Sequence, residues 1–260
     1  MIGQGQDMAT VLCVGDSHMR LAGIKPRGAL FRYERISPTR IAGFDIAHIL
    51  SLRGATAAGL RQKSDRTGSY ARVARAITRL DPDTVCFGFG QVDAELSCYY
   101  MALRDGVSLA EATRAKRGAM PRYLRNCLRL AAGRGLVIKG PNTVTLRGTG
   151  ALHMMLRANL CPALDLSEQD LSHWLHENDV TLARHGAINV EIATALRRSA
   201  HRLGLPYFDL RAAMASADHP GLSQPSFCGR AREVHVQPVM RIETMFGKSL
   251  WRSATRERAA

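Results

Sequence analysis

The feature that most constrains the fold is a regular alternation of short apolar runs with amphipathic segments. Four runs end near a glycine or a polar residue, as buried parallel strands do. They cover residues 10–14, 84–89, 136–138 and 205–208, and a further strand is expected within 41–50. Between the runs, apolar residues recur at helical spacing. This order predicts an α/β protein, a three-layer α/β/α sandwich around a central parallel sheet of about five strands.

The helical segments differ in how clearly the sequence marks them. Strong apolar stripes predict helices over 73–80, 124–131 and 188–203, and a closing helix is expected over 238–250. Ser108 and Glu111 have the spacing of a capping box. The segment 96–120 is interpreted as a helical insertion or lid, and 147–179 as an irregular stretch with short helices. All of residues 1–260 are assigned to a single domain.

The strongly basic composition raises the question of an anionic partner. Lys and Arg number 36 against 22 Asp and Glu, which gives a net charge of +14. Only five of the basic residues are Lys, and aromatic residues make up 6% of the chain. Nucleic-acid surfaces normally mix Lys with Arg and interleave aromatic side chains. A nucleic-acid partner is therefore not expected, and most of the arginines are assigned to solvated helix faces.

Several classes of protein and of site are excluded by what the sequence lacks. No run reaches the ~20 apolar residues of a membrane span, and the first residues do not form a secretory signal. The six cysteines include no CxxC pair, and no nucleotide-binding glycine motif occurs. The sequence thus predicts a soluble, reduced, cytoplasmic protein without a metal or diffusible cofactor. It specifies no oligomeric state.

Candidate catalytic residues follow the predicted strands, where the chemistry of parallel sheets collects. Gly15-Asp16-Ser17 follows the first strand, so the Ser17 hydroxyl can project above the sheet at the start of a helix. A serine nucleophile needs a base, and His235 lies late in the chain. Asp16 is expected to tie the turn.

Further residues at strand ends complete the candidate site. Gly54 lies in a turn of small residues after the second strand, where its backbone N–H is unobstructed. Gln91 and Asp93 follow the strand that ends at Phe89, and Asn142 follows the strand 136–138. Asp93 either positions the loops around the serine or caps the next turn.

This ordered set of residues resembles the SGNH or GDSL-like hydrolase family, in particular a bacterial branch with GDSH and G-x-x-D blocks. The family has a flavodoxin-like α/β/α fold and four blocks: GDS, a glycine, GxND and DxxH. The resemblance spans residues 10 to about 250. It implies that Ser17 is the nucleophile, that His235 is its base, and that the Ser17 and Gly54 N–H groups bind the oxyanion.

Two positions depart from the family pattern. Val92 replaces the asparagine that donates to the oxyanion, so Gln91 or Asn142 would have to substitute. Arg232 replaces the aspartate that orients the histidine, and Glu233 or Asp218 would have to take that role. The expected function is a serine-dependent esterase or acyltransferase on an acyl ester such as an acetylated carbohydrate. The alternative is a degenerate, non-catalytic module in which Arg53 and Arg232 bind an anionic glycan or lipid head group.

Other residues that suggest chemistry also have ordinary structural explanations. His18 is expected at the rim of the pocket rather than as a base, because adjacent helical side chains point apart. His173 and His176 form an HxxH pair that lacks the metalloprotease spacing, so an exposed helix is favoured over a metal site. Tyr99 and Tyr100 either flank a sugar or pack in the core.

Overall fold

A central sheet of six strands organises the chain within the residues that the computed structural model describes, which are 9–22, 35–61, 68–228 and 240–258. The strands lie in the order β2-β3-β1-β4-β5-β6. Their bounds are Thr10–Gly15 (β1), Ile36–Thr39 (β2), Ile46–Ser51 (β3), Thr84–Gly88 (β4), Gly135–Lys139 (β5) and Tyr207–Phe208 (β6).

Five of these strands are parallel, as predicted, and their order is that of the flavodoxin-like fold. Strand β2 is an addition that the sequence analysis did not predict. It pairs antiparallel with β3 at the edge of the sheet, and Pro38 is tolerated there because an edge strand needs fewer ladder donors.

Eight α-helices are assigned in the described part of the chain. They are Ser69–Leu80 (α1), Cys98–Asp105 (α2), Leu109–Leu130 (α3), Thr149–Leu164 (α4), Glu168–Glu177 (α5), Leu182–Arg202 (α6), Arg211–Met214 (α7) and Met240–Arg258 (α8). Three short turns of other helix types are Ser17–Ala22, Asp93–Ser97 and Pro225–Phe227. None of the described helices combines the length and the apolar character that crossing a bilayer demands.

Alternation along β1 shows how the sheet separates two helical layers. Leu12 and Val14 belong to the larger apolar cluster, which includes residues of α1, α3 and α6. Val11 and Cys13 belong to a second cluster on the opposite face, which includes residues of α8. The chain therefore has the predicted three-layer α/β/α architecture.

One segment differs from its expected structure, and a second contains helices, as expected. The stretch 147–179, expected to be irregular, contains the regular helices α4 and α5. The apolar residues of α4 are spread around the helix, so no stripe marks it in the sequence. The segment 96–120 contains α2 and the first half of α3, which begins at the predicted Ser108 capping box. Buried Tyr99 and Met120 join these helices to the main core.

The carboxyl ends of β1 and β4 form the point where the chain changes direction across the sheet. From β1 the chain continues to β3 on one side, whereas from β4 it continues to β5 on the other. Open α/β sheets bind ligands in the crevice at such a switch point. The loops after β1 and β4 carry Ser17 and Gln91, so the fold places the candidate site there.

Close approach of β1 and β4 at this point requires glycine. Gly15 and Gly88 are paired in register, and a Cβ atom on Gly15 would lie 2.3 Å from the Gly88 carbonyl oxygen. Because the obstacle is the backbone of a central strand, a rotamer change cannot relieve it.

We expect Gly15→Ala to lower the free energy of unfolding by about 1–3 kcal/mol through this overlap. A matched Gly118→Ala change in α3, where an added Cβ meets no atom within 4 Å, should raise it by about 0.5–1 kcal/mol. Urea unfolding measures both values. A Gly15→Ala protein as stable as the wild type would contradict the prediction.

Candidate functional site

The Asp16 carboxylate ties together the loops that follow β1 and β4. Asp16 is fully buried. Its Oδ1 accepts a hydrogen bond from the His18 backbone N–H (3.0 Å), and its Oδ2 accepts one from the Gln91 N–H (3.2 Å). One side chain therefore fixes the backbone on both sides of the switch point.

Ser17 begins the 3₁₀ turn directly after Asp16 and is only half-buried. No hydrogen bond joins its hydroxyl to another residue within the described ranges. The turn thus places an available hydroxyl at the carboxyl end of the central strand β1.

His18 is buried, which corrects its expected position at the pocket rim. It is 3% exposed, its Nδ1 lies 3.3 Å from Asp16 Oδ1, and its Nε2 lies 3.4 Å from Glu95 Oε2. With three residues per turn, consecutive side chains of a 3₁₀ helix point about a third of a turn apart. The same turn therefore leaves Ser17 facing outwards and directs His18 into the protein.

The charge state of His18 follows from its two carboxylate neighbours. Burial alone would lower the pKa of His18, but the Glu95 carboxylate and then the Asp16 carboxylate outweigh it and raise this pKa to about 9. His18 is therefore a cation at neutral pH, with a ring nitrogen directed at each carboxylate. A protonated imidazole cannot accept the Ser17 proton, so this histidine is not the base.

Glu95 is a site residue that the sequence analysis missed. It is buried within the π-helical turn Asp93–Ser97, a type of turn that is frequent at functional sites. Its Oε1 accepts a hydrogen bond from Gln91 Nε2 at 2.7 Å. Burial raises the pKa of Glu95, although the His18 cation opposes the rise.

Gln91 and Asn142, the two expected substitutes for the missing oxyanion donor, have different surroundings. Gln91 uses its amide nitrogen on Glu95 and its Oε1 on the Asn142 backbone N–H, at 2.7 Å. Asn142 accepts a hydrogen bond from Lys139 Nζ at 3.0 Å, while its Nδ2 is buried and has no partner among the described residues. Of the two side chains, Asn142 is therefore the one whose amide nitrogen donates no hydrogen bond to a described residue.

Asp93 positions the loop after β3. This buried carboxylate accepts hydrogen bonds from the backbone N–H groups of Ala57 (2.6 Å) and Ala58 (3.3 Å). Burial raises the pKa of Asp93, whereas Lys116 and the two N–H groups oppose the rise. Gly54 begins the same loop in the left-handed region, with φ of 65°, on an exposed turn.

A buried cation, Lys139, and a half-buried one, Arg211, also escaped the sequence analysis. Lys139 lies at the end of β5 and donates hydrogen bonds to Gly140 and Asn142. Burial lowers the pKa of Lys139, and the Asp16 carboxylate opposes this effect. Arg211 donates to the carbonyl of Asn142 (3.2 Å) and to that of Pro220 (3.0 Å). Both cations hold the loop that carries Asn142, and no local motif marks them.

The late candidates His235 and Glu233, together with Arg232, lie outside the described residues. Asp218, the other candidate for orienting His235, is exposed, and its backbone N–H bonds to Ser216. Val92 is buried. The described residues thus bring together the loops of the early blocks, whereas the meeting of Ser17 with His235 stays a prediction.

The remaining sequence candidates have structural partners. His173 forms an exposed pair with Glu177 (3.1 Å), and no group of three potential metal ligands occurs among the residues described. Tyr99 is buried with its hydroxyl 2.8 Å from His185 Nδ1. The Arg104 guanidinium lies over the ring of Tyr100.

Comparison with known proteins gives matches among solved structures only; no family model and no curated protein matches. An aryl esterase from M. smegmatis is 16% identical (96% of this chain, 99% of that chain, TM-score 0.48). A carbohydrate acetylesterase from Sinorhizobium meliloti is 15% identical (96% and 99%, TM-score 0.46). An acetyl xylan esterase from Geobacillus stearothermophilus is 12% identical (96% and 94%, TM-score 0.47). At these sequence identities and TM-scores, the likeness establishes no activity for this chain. Its fold is defined by its own strand order.

The buried His18 cation predicts a stability that depends on pH. Because its pKa is raised from 6.5 to about 9, its contribution is complete below about pH 6.5 and is lost as the pH rises through 9. A rise of this size corresponds to a free energy on the order of 3 kcal/mol. We expect the difference in unfolding free energy between wild type and His18→Gln to shrink by about that amount between pH 6.5 and 10.

Chemical denaturation across this pH range measures the difference. The exposed His173→Gln change serves as the control, and its difference from wild type should stay small throughout. A wild-type advantage over His18→Gln that is the same at pH 6.5 and pH 10 would show that His18 is not a buried cation.

Proposed function

We propose that this protein is a serine-dependent esterase or acyltransferase that acts on an acyl ester, with acetylated carbohydrates as the substrate class. The observation that carries the proposal is the placement of Ser17. It is half-exposed at the first turn after the central strand, at the switch point between β1 and β4, and its hydroxyl is not engaged by any described residue. An acyl-transfer nucleophile needs this combination of rigid support and access.

The proposed reaction begins with proton transfer from Ser17 Oγ to His235. The Ser17 oxygen attacks the acyl carbonyl and forms a tetrahedral intermediate with a negatively charged oxygen. His235 returns the proton to the leaving alcohol as the ester bond breaks, which gives an acyl-serine. Water or an acceptor hydroxyl then attacks this acyl group, again with His235 as the base, and frees the serine. The scheme uses neither a metal nor a diffusible cofactor.

The oxyanion is proposed to be held by the backbone N–H groups of Ser17 and Gly54 together with Asn142 Nδ2. The spare donor of Asn142 supports its choice over Gln91, whose amide nitrogen already bonds to Glu95. A neutral amide can replace the donor that Val92 lacks, and one such donor is typically worth about 2.7–4 kcal/mol to the transition state.

His235 is proposed as the base because His18 is already protonated at neutral pH. The resemblance of Gly15-Asp16-Ser17, Gly54 and His235 to the blocks of SGNH or GDSL-like hydrolases supports the same pairing. Glu233 is proposed to orient His235, since Arg232 cannot accept a hydrogen bond from an imidazole.

We also propose a cytoplasmic location, which the six unpaired cysteines support.

A non-catalytic binding module is the second candidate, and the specific observation that favours it is the pair of departures at Val92 and Arg232. Such a module would keep the loops fixed by Asp16 and Asp93 and use arginines to bind an anionic glycan or lipid head group. The two candidates differ in whether the Ser17 hydroxyl is reactive.

We expect Ser17→Ala to lower the kcat/KM for 4-nitrophenyl acetate by at least about 1,000-fold, since no other group replaces the nucleophile. It should also abolish stoichiometric labelling by a fluorophosphonate. Ester turnover and intact-protein mass spectrometry provide the measurements. His235→Ala should remove both signals as well, because the serine then lacks its base.

Ser172→Ala, which makes the same change on helix α5, is the matched control and should retain both activity and labelling. A folded wild-type protein that neither labels nor exceeds Ser17→Ala would reject catalysis and favour the binding module. Full activity in His235→Ala would reject His235 as the base and leave the serine mechanism in place.

A further inference from the structure

A groove lined by arginines lies between α3 and α6, and none of its residues belongs to the candidate esterase site. The two helices pack side by side, and the groove between their outer surfaces has a volume of about 700 Å³. Volumes of this size are typical of small-molecule sites. Its cations, all exposed, are Arg114 and Arg117 on α3 and Arg197, Arg198 and Arg202 on α6, and the exposed His201 also lines the groove.

Most of this positive charge is not neutralised by the protein itself. Arg117 pairs with Glu191 at 2.9 Å. The other four arginines form no ion pair with a carboxylate among the residues that the structure describes. Arg198 and Arg202 are four residues apart on one helix, where two like charges slightly destabilise the helix. The groove therefore concentrates charge at a small cost that a bound anion would offset.

The helix dipole explains only part of this cluster of arginines. Cations near a helix C-terminus are stabilised by the helix dipole, and Arg202 is the last residue of α6. Arg114 and Arg117, however, lie in the first half of α3, where the dipole gives cations no such advantage. Their position opposite the α6 arginines produces guanidinium groups on both sides of one groove.

The floor and the lining restrict the kind of anion. Gly118, Pro121 and Ala195 contribute apolar surface, and the lining contains no Phe, Tyr or Trp side chain on which a base could stack. Planar guanidinium groups bind phosphate oxygens in a bidentate manner. Five guanidinium groups in one groove can contact several phosphate groups of the same anion. They therefore fit an anion whose charges lie a few ångströms apart better than a glycan that carries a single charge per sugar ring.

We propose that the groove between α3 and α6 is a binding site for an oligophosphate, either a free phosphate chain or the triphosphate group of a nucleotide. The phosphates would lie between Arg114 and Arg117 on one side and Arg197, Arg198 and Arg202 on the other. Because the groove shares no residue with the Ser17 site, this binding does not depend on the esterase proposal.

Titration calorimetry with sodium tripolyphosphate tests the proposal. We expect saturable binding to the wild type that weakens as the salt concentration rises, and at least a tenfold weaker affinity for the double variant Arg114→Gln, Arg198→Gln. These exposed changes should leave the melting temperature of the unliganded protein near that of the wild type, which separates lost binding from lost folding.

A second arginine groove provides a matched control. It has a volume of about 670 Å³ and lies between β2 and α1. The double variant Arg75→Gln, Arg79→Gln removes the same net charge there and should bind tripolyphosphate within about twofold of the wild type. Equal loss of affinity in both double variants would show diffuse attraction to a basic surface and would overturn the proposal, as would an absence of binding to the wild type.

Further ligands identify the source of the phosphates. If tripolyphosphate binds as tightly as ATP, the ligand is a free phosphate chain. If ATP binds clearly more tightly, the ligand is a nucleotide. Either result supports the site, provided that the Arg114→Gln, Arg198→Gln variant loses the binding. Inorganic monophosphate should bind far more weakly. Strong binding of a single-stranded RNA with no binding of tripolyphosphate or ATP would overturn the proposal in favour of a nucleic-acid surface.

Discussion

The buried carboxylate of Asp16 is the interaction on which the arrangement of the site depends. It joins the end of β1 to the loop after β4 through two backbone N–H groups, and it contacts His18. A buried charge of this kind is stable only when it is paired and hydrogen-bonded. His18 supplies the pairing and in turn contacts Glu95, so three side chains from two loops hold each other in place.

A set of buried polar contacts extends from this cluster to β5. Gln91 links Glu95 to the backbone of Asn142, and Lys139 contacts the side chain of Asn142. The carboxyl ends of β1, β4 and β5 are therefore connected beneath the loop that carries Ser17. These contacts limit movement of the loops. A preorganised oxyanion site requires loops that are held in place in this way. It also concentrates several charges in the interior, where the loss of one partner is costly.

Cationic side chains on the surface have different partners from those in the interior. In the interior, Lys139 lies next to a carbonyl oxygen and His18 lies next to a carboxylate. In the groove between α3 and α6, arginines such as Arg198 face solvent without such partners among the described residues. The same excess of arginine in the composition thus corresponds to two physical situations, and only the second leaves charge available for a ligand.

The sequence by itself determined the α/β class, the strands around Val14, Phe87 and Ile138, and the place of Ser17 after the first strand, because period and turn residues are local signals. Only the tertiary structure decided that His18 faces inwards and that Glu95, Lys139 and Arg211 support the site, because their roles come from contacts between distant segments. Helix α4 was missed for a different reason: apolar residues lie on all its faces, so the buried face that runs from Ala151 to Leu160 does not stand out in the sequence. Contacts between distant segments are properties of the folded chain, and no local spacing in the sequence encodes them.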